Sequence, residues 1–148
     1  VRALDGDSGR EQWRAYTGGE IRIPPTFYGG RALVGSGDGW VYAFEAATGK
    51  FLWRFRAAPV DRRMVAFDQL ESVWPVHGSV LVQDGVATVV AGRSMYLDGG
   101  LRVCRLDVET GRLLGETILD DRDPETGEPK VAAATVAGSV ISTPWWTS

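Results

Sequence analysis

An all-β chain forming part of a β-propeller, with two to three four-stranded antiparallel blades, is predicted from three features of the sequence. A phrase recurs as ALDGDSGREQW at 3–13, AFEAATGKFLW at 43–53 and RLDVETGRLLG at 105–115. Each copy sets an apolar residue and an acid before a turn that ends in Gly, with a basic residue and a further strand behind it. A unit of roughly 40 residues built from short strands marks a propeller or a related array. Finally, strands and Gly-containing turns follow one another so closely that residues 21–56 hold four strands and leave no room for a helix.

In chain order, residues 1–4 alternate and end at Asp5, Asp5-Gly6-Asp7-Ser8-Gly9 is a turn, and 11–16 returns as a strand. Residues 1–16 thus read as the outer hairpin of a truncated blade. Residues 17–56 read as a complete one. Its innermost strand is expected over 21–28, with Pro24-Pro25 near the start, where a missing N–H is tolerated. Gly29-Gly30 is a two-residue hairpin signal; 31–35, 40–45 and 51–56 are the remaining strands, with Ser36-Gly37-Asp38-Gly39 turning between the first two of these. Residues 57–119 read as a blade with long insertions: a connection over 57–73, strands over 77–82 and 86–91 around Asp84-Gly85, a second connection over 92–100, then 101–106 and 113–119 around the third copy of the repeated turn. Residues 120–130 are acidic and turn-rich, and 131–142, small and β-branched, read as the possible start of a further blade within 120–148.

The phrase returns after 40 residues and then after 62, so the extra length lies in the connections 57–73 and 92–100. In an up-and-down blade the links from second to third strand and from fourth strand to the next blade leave on one face, and both long connections are of that kind. Insertions in repeat proteins gather on the binding face, so this face is the one to search. It carries Arg62, Arg63, Gln69, Glu71, Trp74 and His77 from the stretch 57–77, the last of them at the start of the predicted inner strand, and Arg93, Ser94 and Asp98 from 92–100. Arg forks over an aromatic floor suit a small anionic or carbohydrate ligand; the structural alternative is that Arg62 and Arg63 pair with Asp61, Asp68 or Glu71 and order a long loop.

Composition narrows the function. The 148 residues are 44% hydrophobic with a net charge of −3 and no basic run, which gives no attraction to nucleic acid. No apolar stretch is long enough to span a bilayer. Cys104 is the single cysteine, so no internal disulfide or Cys-rich metal site forms here. Two to three repeats do not close a ring of roughly 4 to 8 blades, so the chain is expected to join further blades of a longer protein. Gly35-Ser36-Gly37-Asp38-Gly39 imitates a phosphate loop but precedes a strand, not a helix, and reads as a hairpin turn. Asp121, Asp123 and Glu125 are out of register with a calcium loop, and His77, the only histidine, builds no zinc site alone.

With GSGDGWVY ahead of AFEAATGKFLW, the chain resembles the PQQ-like propeller repeat of quinoprotein alcohol dehydrogenases and of BamB-type outer-membrane assembly lipoproteins. In that family an Ala, an acid two on, a Gly four further and a Trp four after that form a tryptophan-docking motif between blades. Ala3, Asp5, Gly9 and Trp13 match it in full, Ala43, Glu45, Gly49 and Trp53 match with one conservative change, and the third copy keeps Asp107 and Gly111 but has Arg105 and Gly115 for the Ala and Trp. The resemblance covers residues 1–119 and implies a periplasmic or cell-envelope scaffold that binds further blades and an envelope protein or small ligand, with no cofactor in this segment. The alternative under the same resemblance is a piece of an alcohol or sugar dehydrogenase using PQQ and calcium, whose calcium is held by Glu and Asn; the chain has no Asn, which counts against it.

Overall fold

The computed structural model describes residues 1–66, 68–123 and 125–128, and among them every regular element is a strand. Strands β1 (Arg2–Leu4) and β2 (Glu11–Arg14) form a hairpin. β3 (Thr26–Tyr28), β4 (Arg31–Gly35), β5 (Trp40–Glu45) and β6 (Phe51–Arg56) form a four-stranded antiparallel sheet in sequence order. β7 (Arg63–Ala66) and β8 (Gln69–Ser72) form a separate hairpin, and β9 (Leu81–Gln83), β10 (Val86–Ala91), β11 (Leu101–Asp107) and β12 (Leu113–Leu119) repeat the four-stranded arrangement. These are propeller blades. The strand expected over 131–142 lies outside the described residues.

Three expectations are corrected. The inner strand of the middle blade starts only at Thr26, because Pro24 and Pro25 have no N–H for the ladder. The strand expected over 77–82 is displaced to Leu81–Gln83, since Ser72 N and Val76 N bond to the Gly37 and Ser36 carbonyls of the neighbouring blade ahead of it. The connection 57–73 is partly regular: β7 and β8 pair Arg63 with Ser72, Met64 with Glu71 and Val65 with Leu70, around Asp68 at a φ of 60°, a left-handed conformation that Asp tolerates better than most residues.

Strand alternation decides the core. One face of the middle blade sends Leu33, Val41, Ala43 and Trp53 against Val89, Ala91, Cys104 and Leu106 of the next, while Val34, Tyr42 and Phe44 pack on the other side with Ala15, Trp13 and Ile21. Buried on both faces, β4 and β5 are almost continuously apolar, as strands between two layers must be.

At each seam an indole crosses to the following repeat. Trp13 Nε1 donates to the Ala46 carbonyl at 3.0 Å, and Trp53 Nε1 to the Val108 carbonyl at 3.1 Å. The rings lie on Gly49 and Gly111, both at positive φ (73° and 72°), where a Cβ would sit 2.5 Å from ring atom Cε3. Glycine is therefore required twice over, by the turn and by the ring above it. The donor is always the earlier repeat. The third copy, with Gly111 intact, receives Trp53, and its departure from the pattern at Arg105 and Gly115 falls on the next seam. The same turn occurs a fourth time within the acidic stretch: Gly127 N donates to the Asp123 carbonyl at 2.8 Å and Asp123 N to the Glu128 carbonyl at 2.8 Å, as Gly111 N does to Asp107 and Asp107 N to Arg112 only 16 residues earlier.

Candidate functional site

The Gly-rich run from Gly35 to Gly39 is the hub of the face on which the long connections emerge. Gly37 N donates to the Glu20 carbonyl, the Gly37 carbonyl accepts from Ser72 N, the Ser36 carbonyl from Val76 N, and the Gly39 carbonyl from both Ala57 N and Ala58 N, at 2.8–3.0 Å. Side chains would not fit here: a Cβ on Gly35 would lie 2.5 Å from Val76 Cγ1, and one on Gly39 2.7 Å from Ala58 Cβ. The run spends its backbone polar groups on neighbouring links.

Above this hub sits a buried carboxylate. Glu71, 1% exposed, receives Arg22 at 2.8 Å on Oε1, and Arg93 at 2.5 Å and His77 Nε2 at 3.3 Å on Oε2. Burial works to raise its pKa, but the Arg93 hydrogen bond and the charges of His77 and Arg22 outweigh burial and hold the carboxyl below its ordinary value. Arg22 also pairs with Glu20 at 2.9 Å, and Arg93 reaches the Ser72 carbonyl at 3.4 Å. A carboxylate removed from water is tolerable only when its lone pairs are filled in this way. His77 Nδ1 is buried and, among the described residues, has no partner.

Of the nine residues expected on this face, Glu71, His77 and Arg93 therefore converge on one point. Trp74 is buried in the core, not open as a ligand floor, and its Nε1 donates to the Asp98 carbonyl at 3.1 Å, tying the two long connections together. Ser94 Oγ accepts from Tyr96 N at 3.1 Å and orders its own loop. Arg62, Arg63 and Gln69 are exposed; Arg63 pairs with Asp61 at 3.4 Å, and neither Arg62 nor Arg63 joins Glu71. Arg22 and Glu20 were missed. The topology pointed to them, because the link over 17–25 also runs from one blade into the next and so emerges on this face. Beyond the carboxylate, β7 and β8 present Val65 and Leu70 as an opposed pair, 72% and 58% exposed. Among the described residues no three His, Cys, Asp or Glu side chains gather as a metal site, and no helix is long and apolar enough to cross a membrane.

The sequence profile of the family described as "Outer membrane protein assembly factor BamB" matches residues 1–143. The chain is 40% identical over 114 residues to outer membrane protein assembly factor BamB of Burkholderia pseudomallei (strain K96243), which covers 76% of this chain and 25% of that protein. It is 33% identical over 131 residues to polyvinylalcohol dehydrogenase of Pseudomonas sp, covering 87% of this chain and 18% of that one. The chain thus spans a quarter or less of these relatives. A solved quinohemoprotein alcohol dehydrogenase from Pseudomonas putida HK5 shares its fold, with a TM-score of 0.65 at 22% identity over 90% of this chain and 20% of that one.

Proposed function

The chain belongs to the BamB-type family of PQQ-like propellers, and on that premise we propose that it is a non-catalytic binding segment of a cell-envelope propeller protein, with its partner or ligand received on the face of the long connections. One observation carries this reading: both carboxylate oxygens of Glu71 are committed to Arg22, Arg93 and His77. The buried acid on that face is the pin of a rigid platform rather than a base with a free oxygen. Outside the pin, the Val65–Leu70 pair offers apolar area of the kind that interfaces bury.

A second reading follows from the 33% identity to polyvinylalcohol dehydrogenase: the segment belongs to a PQQ- and calcium-dependent dehydrogenase. Calcium takes six to eight oxygens. With no Asn in the chain and Glu71 fully paired, the described residues do not fit that shell.

The test uses the full polypeptide in its native envelope. A photo-crosslinking residue replaces Val65 on the hairpin or Thr48 on the opposite face, and purified protein is assayed for alcohol-dependent dye reduction with PQQ and calcium. Adducts from position 65 alone, without dye reduction, are expected. Adducts only from position 48, or turnover with the cofactor, overturn the proposal.

A further inference from the structure

Among the described residues nothing covers one sheet face of the β9–β12 blade, and the side chains on it differ from those at the two formed seams in a specific way. Ala87, Val89, Cys104 and Leu106 point into the core, so the alternate positions, Val86, Thr88, Val90, Val103 and Arg105, with Leu81 opposite Thr88, make up the far face. Leu81 is 64% exposed there and Val90 38%. The corresponding face of the middle blade, Leu33, Val41 and Ala43, is fully buried by the blade that follows.

In both formed seams the sheet register sets a small residue of one strand opposite the tryptophan of the next: Ala3 opposite Trp13, Ala43 opposite Trp53. In the last blade the same register sets Arg105 opposite Gly115. The large planar side chain has changed strands. Arg105 is exposed, and among the described residues it makes no hydrogen bond or ion pair. It lines a shallow groove of about 330 Å³ with Leu81, Val86 and Thr88. A guanidinium is, like an indole, flat, able to stack and able to donate N–H bonds. The acceptor it would meet is defined by the formed seams: the turn carbonyl that Ala46 and Val108 supply, beside a turn glycine that leaves room for a flat group.

We infer that this face is the docking surface for the following blade of the same polypeptide, and that Arg105 performs from β11 the task that Trp13 and Trp53 perform from the outer strand, lying on the next repeat's turn glycine and donating to its carbonyl. Two seams of identical geometry lead up to this face, and the relatives extend far beyond the length of this chain. Once the face is covered the Arg105 guanidinium loses its water, and a carbonyl acceptor on the covering blade would replace it.

The experiment is a cycle in the full polypeptide: Arg105→Ala, Gly115→Trp and the double variant, followed by thermal unfolding and by sedimentation at several concentrations. Gly115 has ordinary backbone geometry and nothing within 4 Å of an added Cβ, so Trp is sterically admissible there. Arg105→Ala is expected to lower the midpoint by about 1–2 °C, less than the roughly 2–4 °C that about 1 kcal/mol gives in 150–250 residues because the full polypeptide is longer. The double variant, which restores the Ala–Trp pair, is expected to recover it, while Arg105→Lys, lacking the planar fork, is not. An unchanged midpoint in Arg105→Ala, or a double variant no better than the single, overturns the inference. A concentration-dependent association that Arg105→Ala abolishes also overturns it, since the occupant would then be a second copy.

Discussion

Replacing Trp53 tests the inter-blade seam most directly. The indole is 8% exposed, lies in the core cluster shared by the two four-stranded sheets, and spans 55 positions of sequence with its bond to the Val108 carbonyl. Trp53→Ala removes one of the two tryptophans in that cluster and leaves a cavity; buried Trp or Phe to Ala changes cost about 3–5 kcal/mol. Part of that is the hydrogen bond, worth about 1 kcal/mol. Trp53→Phe isolates it, keeping most of the packing and losing the donor, with an expected cost of about 1–2 kcal/mol. Gly111→Ala attacks the same contact from the other side, since its Cβ would lie 2.5 Å from the ring at a φ of 72°. Overpacking and left-handed strain together predict a loss of about 2–4 kcal/mol. Urea unfolding followed by far-ultraviolet circular dichroism measures all three without relying on the fluorophore being changed. A loss below about 0.5 kcal/mol for Trp53→Ala, the range of surface positions, would refute the seam.

Glu71→Gln should cost about 1–3 kcal/mol, less than a deeply buried pair, because Arg22 and Arg93 are 34% and 23% exposed and water screens them. The loss should appear in hydrogen exchange as faster exchange across residues 63–72 than in β4 and β5. The same carboxyl predicts acid sensitivity. Its folded pKa lies below the ordinary value of 4.5, so its stabilisation is complete above about pH 4.5 and is lost as pH falls through the folded pKa. The wild type should therefore weaken more steeply than Glu71→Gln below that pH, and parallel curves would remove Glu71 from the account. Cys104, fully buried, has its thiol pKa raised by burial; a thiol reagent at neutral pH should label it on the order of 100-fold more slowly in the native state than in urea. Rapid native labelling would mean that the seam between the two sheets opens.

Much of the fold was legible because its causes are local. Gly-containing turns bracketed β4, β5, β6, β10 and β12, and Gly at the ends of the repeated turns marked the positions of positive φ. Where a local rule was weighed wrongly, the structure shows why: the Pro24-Pro25 pair cut the inner strand to three residues, and Asp68 allowed a tight turn inside a connection that looked irregular. At the candidate site, the topology of blade links named the face on which Glu71, His77 and Arg93 meet.

The sequence by itself determined the repeat, the blade type and the tryptophans that cross the formed seams, because strand period and turn chemistry act over a few positions and recur in each repeat. Only the tertiary structure decided which charges meet. Glu71 takes partners 49 residues upstream and 22 downstream instead of the neighbouring Arg62 and Arg63. No period relates those positions; the stacking of blades brings their links over one glycine turn, and the cost of an unpaired buried carboxylate selects the arginines that arrive there.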